Sequence, residues 1–270
     1  MLRRGVLSVG VVGVGVGVVY STLSDRRTFV VPAVAQIISL DKRIPKIKDR
    51  IQPLASSNQQ DYHTVSLGPE NDVKGNLTRN SIMLLPSFLT PRECKELIAD
   101  TEQSYKDGVA VEDDEGLARV QVQDLGRQSQ QMDATIRTRL LAFLESALPS
   151  ESALLFGVET TSFRDLTPSY SSLEPAVNRY TAGGSFEAHE DGYSITINIL
   201  LDNTSFQGGG TEFWTEVESS SDFQHRKGPA LRIEPVAPGC AVLFNGNVRH
   251  QGKPVNSGVR YLYVASFDLC

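Results

Sequence analysis

The chain has little cysteine: three residues in 270, Cys94, Cys240 and Cys270. An odd number at wide spacing builds no disulfide framework. A Cys94–Cys240 bridge stays open but nothing in the sequence favours it, since buried thiols on a helix and at a strand start serve as small hydrophobes. Positive charge is also short. Lys and Arg number 26 against 32 Asp and Glu, a net charge of −6, so the composition gives no electrostatic reason to expect a nucleic-acid partner, although a local basic groove would be hidden in the sum. No internal repeat is visible. Histidine is limited to His63, His189, His225 and His250, so a metal site must be assembled from these and from carboxylates. The apolar run Gly5–Tyr20 falls short of the ~20 residues that a transmembrane helix needs, unless Ser21–Leu23 extend it.

What is present divides the chain into three. Residues 1–24 read as a signal peptide or signal anchor: Arg3 and Arg4 precede the apolar run, and Asp25-Arg26-Arg27 closes it. The expectation is entry into the endoplasmic reticulum and secretory pathway, with membrane attachment through this segment left open. The alternative is a mitochondrial presequence, against which the run is too uniformly apolar to be amphipathic. Asn76-Leu-Thr78 and Asn203-Thr-Ser205 are glycosylation acceptors that agree with the first reading but occur often by chance. Residues 25–80 read as a linker or tether, with a short apolar helix over Val30–Leu40 and a polar stretch over Ser56–Gly75.

A folded domain is expected over residues 81–270. Ile82–Leu85 reads as a strand. Thr90-Pro91-Arg92-Glu93 is a helix start with Thr as cap, Pro at the first turn and Glu three residues after the cap. Cys94, Leu97, Ile98 and Thr101 give that helix one apolar face, and Ile136, Leu140, Leu141 and Leu144 predict a second helix over Met132–Ala147. Residues 109–129, acidic and polar, read as a surface or substrate-covering loop. From Ala176 onward short strands alternate with Gly, Pro and Asn turns: 176–180, 194–201, 211–214, 230–236, 240–244 and 260–267. The fold class is α+β, mainly β, with a sandwich or jelly-roll core and flanking N-terminal helices.

The chemistry concentrates in Arg179–Leu201. His189 and Asp191 are two residues apart, so in an extended chain both project from one face. His250, after the strand ending at Phe244, is the best third ligand; His225 sits in a polar loop. Two histidines and a carboxylate on one face of an ion leave positions open for substrate and dioxygen. Zinc fits less well, because its structural sites use four protein ligands, often thiolates. Arg260 opens a strand of apolar and aromatic residues, and a buried Arg needs an anion.

His189-x-Asp191, Gly208-Gly209-Gly210-Thr211-x-Phe213, Pro238-Gly-x-Ala-Val-Leu-Phe244 and His250-x-Gly252-x-Pro254-Val255-x-x-Gly258-x-Arg260-Tyr261 together resemble the 2-oxoglutarate- and Fe(II)-dependent dioxygenases, with the prolyl 4-hydroxylases the closest branch. The resemblance covers residues 82–270. It implies a double-stranded β-helix with Fe(II) on His189, Asp191 and His250, and Gly208–Gly210 as a hairpin turn. Arg260 would hold the far carboxylate of 2-oxoglutarate, and Tyr180 and Thr211 would line the co-substrate pocket. Of Thr196, Asn198 and Thr211, one or two should face that pocket. O2 would be the oxidant, L-ascorbate the agent that keeps iron reduced, and a protein or peptide, modified at proline, the substrate. Two departures matter: Arg260 stands where collagen-type and plant members usually have Lys, and Leu200 where oxygen-sensing members have a second Tyr. Lysyl, small-molecule and nucleic-acid-base substrates remain alternatives. The demethylating branch is disfavoured because Ser266 stands where it carries a second Arg. A non-enzymatic jelly-roll binding module is the remaining alternative. Oligomeric state is not legible.

Overall fold

A computed structural model describes residues 19–23, 26–31, 36–41, 62–66, 78–113, 116–160, 162–214, 231–235 and 237–270. In chain order come β1 (Val19–Leu23), β2 (Arg26–Val31), β3 (Gln36–Asp41), β4 (His63–Ser66), β5 (Ser81–Leu85), α1 (Pro91–Lys106), β6 (Val111–Glu112), β7 (Leu117–Gln121), α2 (Arg127–Ala147) and α3 (Ser152–Phe156). Strands follow: β8 (Pro168–Tyr170), β9 (Ala176–Tyr180), β10 (Phe186–His189), β11 (Ile195–Leu200), β12 (Phe206–Gly208), β13 (Thr211–Phe213), β14 (Leu231–Pro235), β15 (Ala241–Phe244), β16 (His250–Gly252), β17 (Val255–Gly258) and β18 (Arg260–Leu269).

The larger sheet runs β4-β5-β15-β11-β18-β9-β7-β6, with β8 also on β18, and the smaller runs β1-β2-β3-β14-β13-β16-β10. From β9 the chain alternates between them: β9 larger, β10 smaller, β11 larger, β13 and β14 smaller, β15 larger, β16 smaller, β18 larger. All of these pairings are antiparallel. Two sheets wound this way form a double-stranded β-helix, as the family resemblance implied.

Side-chain parity explains why the larger sheet sits in the middle. On β11, Ile195, Ile197 and Ile199 join the core formed with Leu97, Ile136, Leu140 and Leu144 of the helices. Successive residues of a strand face opposite ways, so Thr196, Asn198 and Leu200 look into the space between the sheets. All six residues of β11 are buried, because helices cover one face and the smaller sheet the other. Each Ile or Leu so buried contributes about 1.5–3 kcal/mol. Between the sheets, Ile82, Leu84, Phe213, Leu231, Ile233, Val242, Phe244 and Val248 close one part of the interior. Leu117, Ala176, Tyr180, Val255, Leu262 and Val264 line another.

The start of α1 has the capping geometry that its sequence predicts. The Thr90 hydroxyl accepts the Glu93 N–H at 3.3 Å, and the Glu93 carboxylate accepts the Thr90 N–H at 2.8 Å. That carboxylate also takes two hydrogen bonds, at 2.9 and 2.7 Å, from the Arg139 guanidinium of α2, which holds it down at a pKa of about 2. Thr90→Ala is expected to cost about 1 kcal/mol of unfolding free energy in a urea titration.

Several elements differ from expectation. β4, inside the stretch read as a tether, pairs with β5 and so belongs to the larger sheet. The stretch read as a short helix over Val30–Leu40 takes in the end of β2 and all but the last residue of β3, in keeping with the strand preference of its Val and Ile residues. α2 begins at Arg127, five residues ahead of the apolar periodicity, through polar Gln and Ser residues that the pattern could not mark. The 109–129 stretch carries a strand pair, β6 on β7, and β7 joins β9 in the larger sheet. Its signal was the apolar alternation of Leu117-Ala-Arg-Val-Gln-Val122. Gly208–Gly210, all at positive φ, do not close a hairpin: they carry the chain from the β12–β17 ribbon into β13. Cys94 and Cys240 are not joined by a disulfide, and burial pushes the Cys94 thiol up to about 12. Residues 1–18 of the targeting segment, most of the linker and Asn76 lie outside the described residues. Among those described, no helix is long and apolar enough to cross a membrane.

Candidate metal centre

Three strands bring the centre together. β10 ends on His189 and β16 begins on His250, and the register sets the two opposite each other; Phe213 of β13 lies opposite His250 on its other side. Just past β10 the chain turns, and the Asp191 N–H donates to the Gly246 carbonyl at 2.7 Å. Only glycine fits there. A Cβ on Gly246 would lie 2.6 Å from the Tyr193 carbonyl oxygen and 3.3 Å from the Asp191 Cβ. The ligand atoms of His189, Asp191 and His250 all lie within 4.8 Å of one another.

The protonation pattern suits metal binding. His189 Nδ1 is 2.7 Å from the Glu187 carbonyl and His250 Nδ1 is 2.9 Å from the Val248 carbonyl. A carbonyl can only accept, so each Nδ1 carries hydrogen and each Nε2 is the nitrogen offered as ligand. Both Nε2 atoms face the carboxylate, 3.1 Å from Oδ1 for His189 and 3.7 Å from Oδ2 for His250. The Thr196 hydroxyl donates to Oδ2 at 2.5 Å and fixes the carboxylate's rotation. Phe244 and Phe213 flank His250, with ring centroids at 4.8 and 6.1 Å. Two imidazole nitrogens and one carboxylate, with no thiolate in the group, match the donor set of a ferrous facial triad.

The titration behaviour sets a pH dependence. Burial lowers the pKa of His250 to about 4, which keeps it neutral. Burial also pulls His189 down, but the Asp191 carboxylate and the Glu187 carbonyl outweigh it and raise His189 above 6.5. Burial pushes Asp191 up, and the bonds from His189 and Thr196, with the electrostatic pull of the nearby His250 ring, more than reverse this. Below the His189 pKa a metal must therefore displace a proton from that ring. Affinity for Mn(II), measured by calorimetry, is expected to fall about tenfold per pH unit once the pH drops below the His189 pKa. Affinity that is flat down to pH 5 would contradict the ligand role of His189.

Arg260 starts β18 opposite Tyr180 of β9, and only 2% of its surface is exposed. Its guanidinium carbon sits 5.5 Å from the Tyr180 ring centroid. Among the described residues it has no hydrogen-bond or ion-pair partner, and burial depresses its pKa. Gly209, at φ +71°, makes room for the stem: a Cβ there would lie 3.0 Å from the Arg260 Cδ. A buried cation left alone is costly, and a guanidinium fork matches a carboxylate with two parallel bonds. Among the described residues no carboxylate pairs with it, so an anionic ligand fits.

Tyr180, buried on β9, shares the inner face with Asn178, whose Nδ2 donates to the Tyr180 hydroxyl at 3.0 Å. Thr211, two residues before the inward Phe213, also lies on an inner face, opposite Gly252. Thr196 and Asn198 both turn inward. Of the remaining histidines, His63 lies on β4 opposite Leu84 and is not one of the three grouped ligands, and His225 is outside the described residues. Sequence reasoning missed Arg119 and Glu174. Arg119 Nε donates to Asn178 Oδ1 at 2.9 Å, and its Nη1 is 3.8 Å from Glu174 Oε1. Glu174 Oε2 accepts the Ser266 N–H, and the Ser266 hydroxyl lies 3.3 Å from that of Thr196. A polar chain thus crosses the interior from Tyr180 to Asp191. The available signal was an Arg centred in the apolar alternation of β7.

No family model and no curated protein matches this sequence. Solved structures of related shape include a prolyl hydroxylase from Trichoplax adhaerens, in complex with a hypoxia inducible factor oxygen degradation domain peptide fragment. It is 13% identical at a TM-score of 0.46, over 73% of this chain and 86% of that one. A Pseudomonas putida prolyl-4-hydroxylase is 15% identical at 0.44, over 69% and 91%. The non-heme alpha ketoglutarate dependent epimerase SnoN from nogalamycin biosynthesis is 15% identical at 0.47, over 69% and 77%. At these values none of the three carries an argument about this chain's chemistry, which rests on the site's own donor set.

Proposed function

We propose that the protein is a 2-oxoglutarate- and Fe(II)-dependent dioxygenase that hydroxylates a peptidyl residue, proline first among them. The observation that carries this reading is the pairing of two features in one chamber. Three ligand atoms within 4.8 Å of one another present two imidazole Nε2 atoms and a carboxylate. A buried Arg260 with no hydrogen-bond or ion-pair partner among the described residues faces the same interior.

His189, Asp191 and His250 hold the metal, with Nδ1 bonds to backbone carbonyls keeping both rings in register. Arg260 fixes the far carboxylate of 2-oxoglutarate, and Gly209 leaves the space its stem needs. Tyr180, oriented by Asn178, lines the chamber beside that carboxylate, with Thr211 on the facing sheet. Leu262 and Val264, both buried, exclude water from it. Ferrous iron with 2-oxoglutarate supplies oxidative decarboxylation, which yields succinate and CO2 and delivers one oxygen atom of O2 to the substrate. The chain's own contribution is orientation in a water-poor cavity. L-ascorbate is proposed as the agent that keeps the iron reduced between turnovers.

Succinate release from 2-oxoglutarate, dependent on Fe(II) and stimulated by Pro-containing peptides, with hydroxyproline detected by mass spectrometry, is the expected result. Succinate release without hydroxyproline across a broad peptide panel would keep the dioxygenase and remove the proline assignment. For location we propose the endoplasmic reticulum or secretory pathway, with membrane attachment through the N-terminal segment. Glycosidase treatment should then shift the protein's mobility, whereas an unglycosylated protein recovered from mitochondria would favour the alternative.

A further inference from the structure

Arg119 on β7 stands opposite Asn178 on β9, and Tyr180, two residues along β9, shares the face of Asn178. Two bonds link the three side chains. Arg119 Nε donates to Asn178 Oδ1 at 2.9 Å, and Asn178 Nδ2 donates to the Tyr180 hydroxyl oxygen at 3.0 Å. The first bond fixes the direction of the second. A guanidinium N–H can only donate, so the amide atom facing it is the oxygen, and the NH2 group is left for Tyr180. Arg119 is itself held by Glu174, whose Oε1 lies 3.8 Å from its Nη1. That carboxylate offsets the Arg119 charge, so Arg119 is anchored and does not compete for an anionic ligand.

A phenolic hydrogen lies in the ring plane, on one of two sides of its oxygen. With the Asn178 amide hydrogen on one side, the Tyr180 hydrogen points to the other. Among the described residues nothing accepts it, although Tyr180 is only 3% exposed. A buried donor without an acceptor is costly. Arg260, the partner of Tyr180 across the β9–β18 ladder, is in the same state, and its guanidinium carbon lies 5.5 Å from the Tyr180 ring centroid. Two such donors in neighbouring positions fit the two acceptor oxygens of one carboxylate. We propose that Arg119 and Asn178 are positioning residues: they hold the Tyr180 oxygen as an acceptor toward Asn178 and thereby reserve its hydrogen for the carboxylate that Arg260 binds. The proposal rests on the 2-oxoglutarate reading above, and both residues act through Tyr180 without touching the co-substrate.

Asn178→Asp tests this most sharply, because it keeps the shape and reverses the bond. Its carboxylate still accepts from Arg119 Nε, but its second oxygen can only accept, so the Tyr180 hydrogen turns toward it and away from the co-substrate. The Kd of 2-oxoglutarate, measured by calorimetry on the full chain loaded with Mn(II), should rise about tenfold or more, the size of one charge-assisted hydrogen bond. Asn178→Ala leaves the hydroxyl free to turn and should cost about threefold in lost preorganisation, less than Asn178→Asp. A merely structural Asn178 predicts the reverse order, since Ala removes a buried group and Asp preserves its shape. In a Tyr180→Phe background, Asn178→Asp should cost less than about twofold more. A further loss of about tenfold there would mean that the new charge repels the anion directly, and would overturn the proposal. Arg119→Met, made with Glu174→Gln so that no buried carboxylate is left alone, lets the Asn178 amide turn over. It should cost about threefold by itself and nothing further in an Asn178→Ala background. Should Asn178→Asp not fold by circular dichroism, this second cycle decides, additive losses refuting the proposal. Mn(II) affinity without co-substrate should stay within about twofold throughout. If wild type binds no 2-oxoglutarate, the co-substrate reading falls and the proposal with it. If wild type binds it and Asn178→Asp binds as well as wild type, or better than Asn178→Ala, the reading stands and the positioning role is refuted.

Discussion

Arg260→Met is expected to weaken 2-oxoglutarate binding about a hundredfold and, in the same protein, to raise the melting temperature measured without co-substrate. The two effects have opposite signs for one reason. Arg260 is buried, 2% exposed, and has no anionic or hydrogen-bonding partner among the described residues. Without co-substrate, the fold therefore bears the cost of a desolvated cation, and replacing such an ion by an apolar side chain of similar length is commonly stabilising by about 1–4 kcal/mol. For a domain of this size, 1 kcal/mol corresponds to about 2–4 °C. With 2-oxoglutarate present the balance reverses. The guanidinium then makes a two-pronged bond to a carboxylate, and removing one partner of a buried charge pair costs about 2–5 kcal/mol, or upward of thirtyfold in affinity. A purely structural Arg260 predicts the opposite: a lower melting temperature and an unchanged Kd.

Asp191→Asn is expected to abolish succinate release and to weaken Mn(II) binding about a hundredfold or more. The change is isosteric and removes only the charge. The Thr196 hydroxyl can still donate to the side-chain oxygen, and the Asp191 N–H bond to Gly246 is untouched, so folding should survive. Structural metal sites of four ligands are worth ~10–16 kcal/mol, about 3 kcal/mol per ligand, and the only anionic ligand should be worth at least that. Calorimetry with Mn(II) measures the affinity, and circular dichroism checks the fold. Metal affinity unchanged in Asp191→Asn would remove the carboxylate from the site.

Much of this centre was readable before any coordinates. His189 and Asp191 are two apart at a strand end, His250 follows a strand and turn, and Arg260 opens an apolar strand; each carries a local signal, and the topology brings the three ligands together. The helix start at Thr90 was equally legible, because capping is decided within four residues. What stayed hidden depends on pairing. Arg119 looked like loop because β7 is recognised only once it lies against β9. Glu174 reaches Ser266 across 92 residues. The inward direction of both Thr196 and Asn198 required the register of β11 against β15 and β18, which a single bulge would have reversed. Gly246 gave no sign of its role, since the constraint is the space beside Tyr193 and Asp191 and not any pattern in its neighbours. Gly208–Gly210 misled for a related reason: three glycines announce positive φ, but not which sheet the chain enters next.

The central claim is that one divalent ion sits on His189, Asp191 and His250 with 2-oxoglutarate reaching from it to Arg260. An anomalous-difference map from crystals grown with Mn(II) and 2-oxoglutarate measures this directly. The account predicts a single strong peak in bonding contact with both Nε2 atoms and the Asp191 carboxylate, and a co-substrate whose far carboxylate lies on the Arg260 guanidinium. A peak elsewhere, or a co-substrate held by other residues while Arg260 stays unpaired, would contradict it.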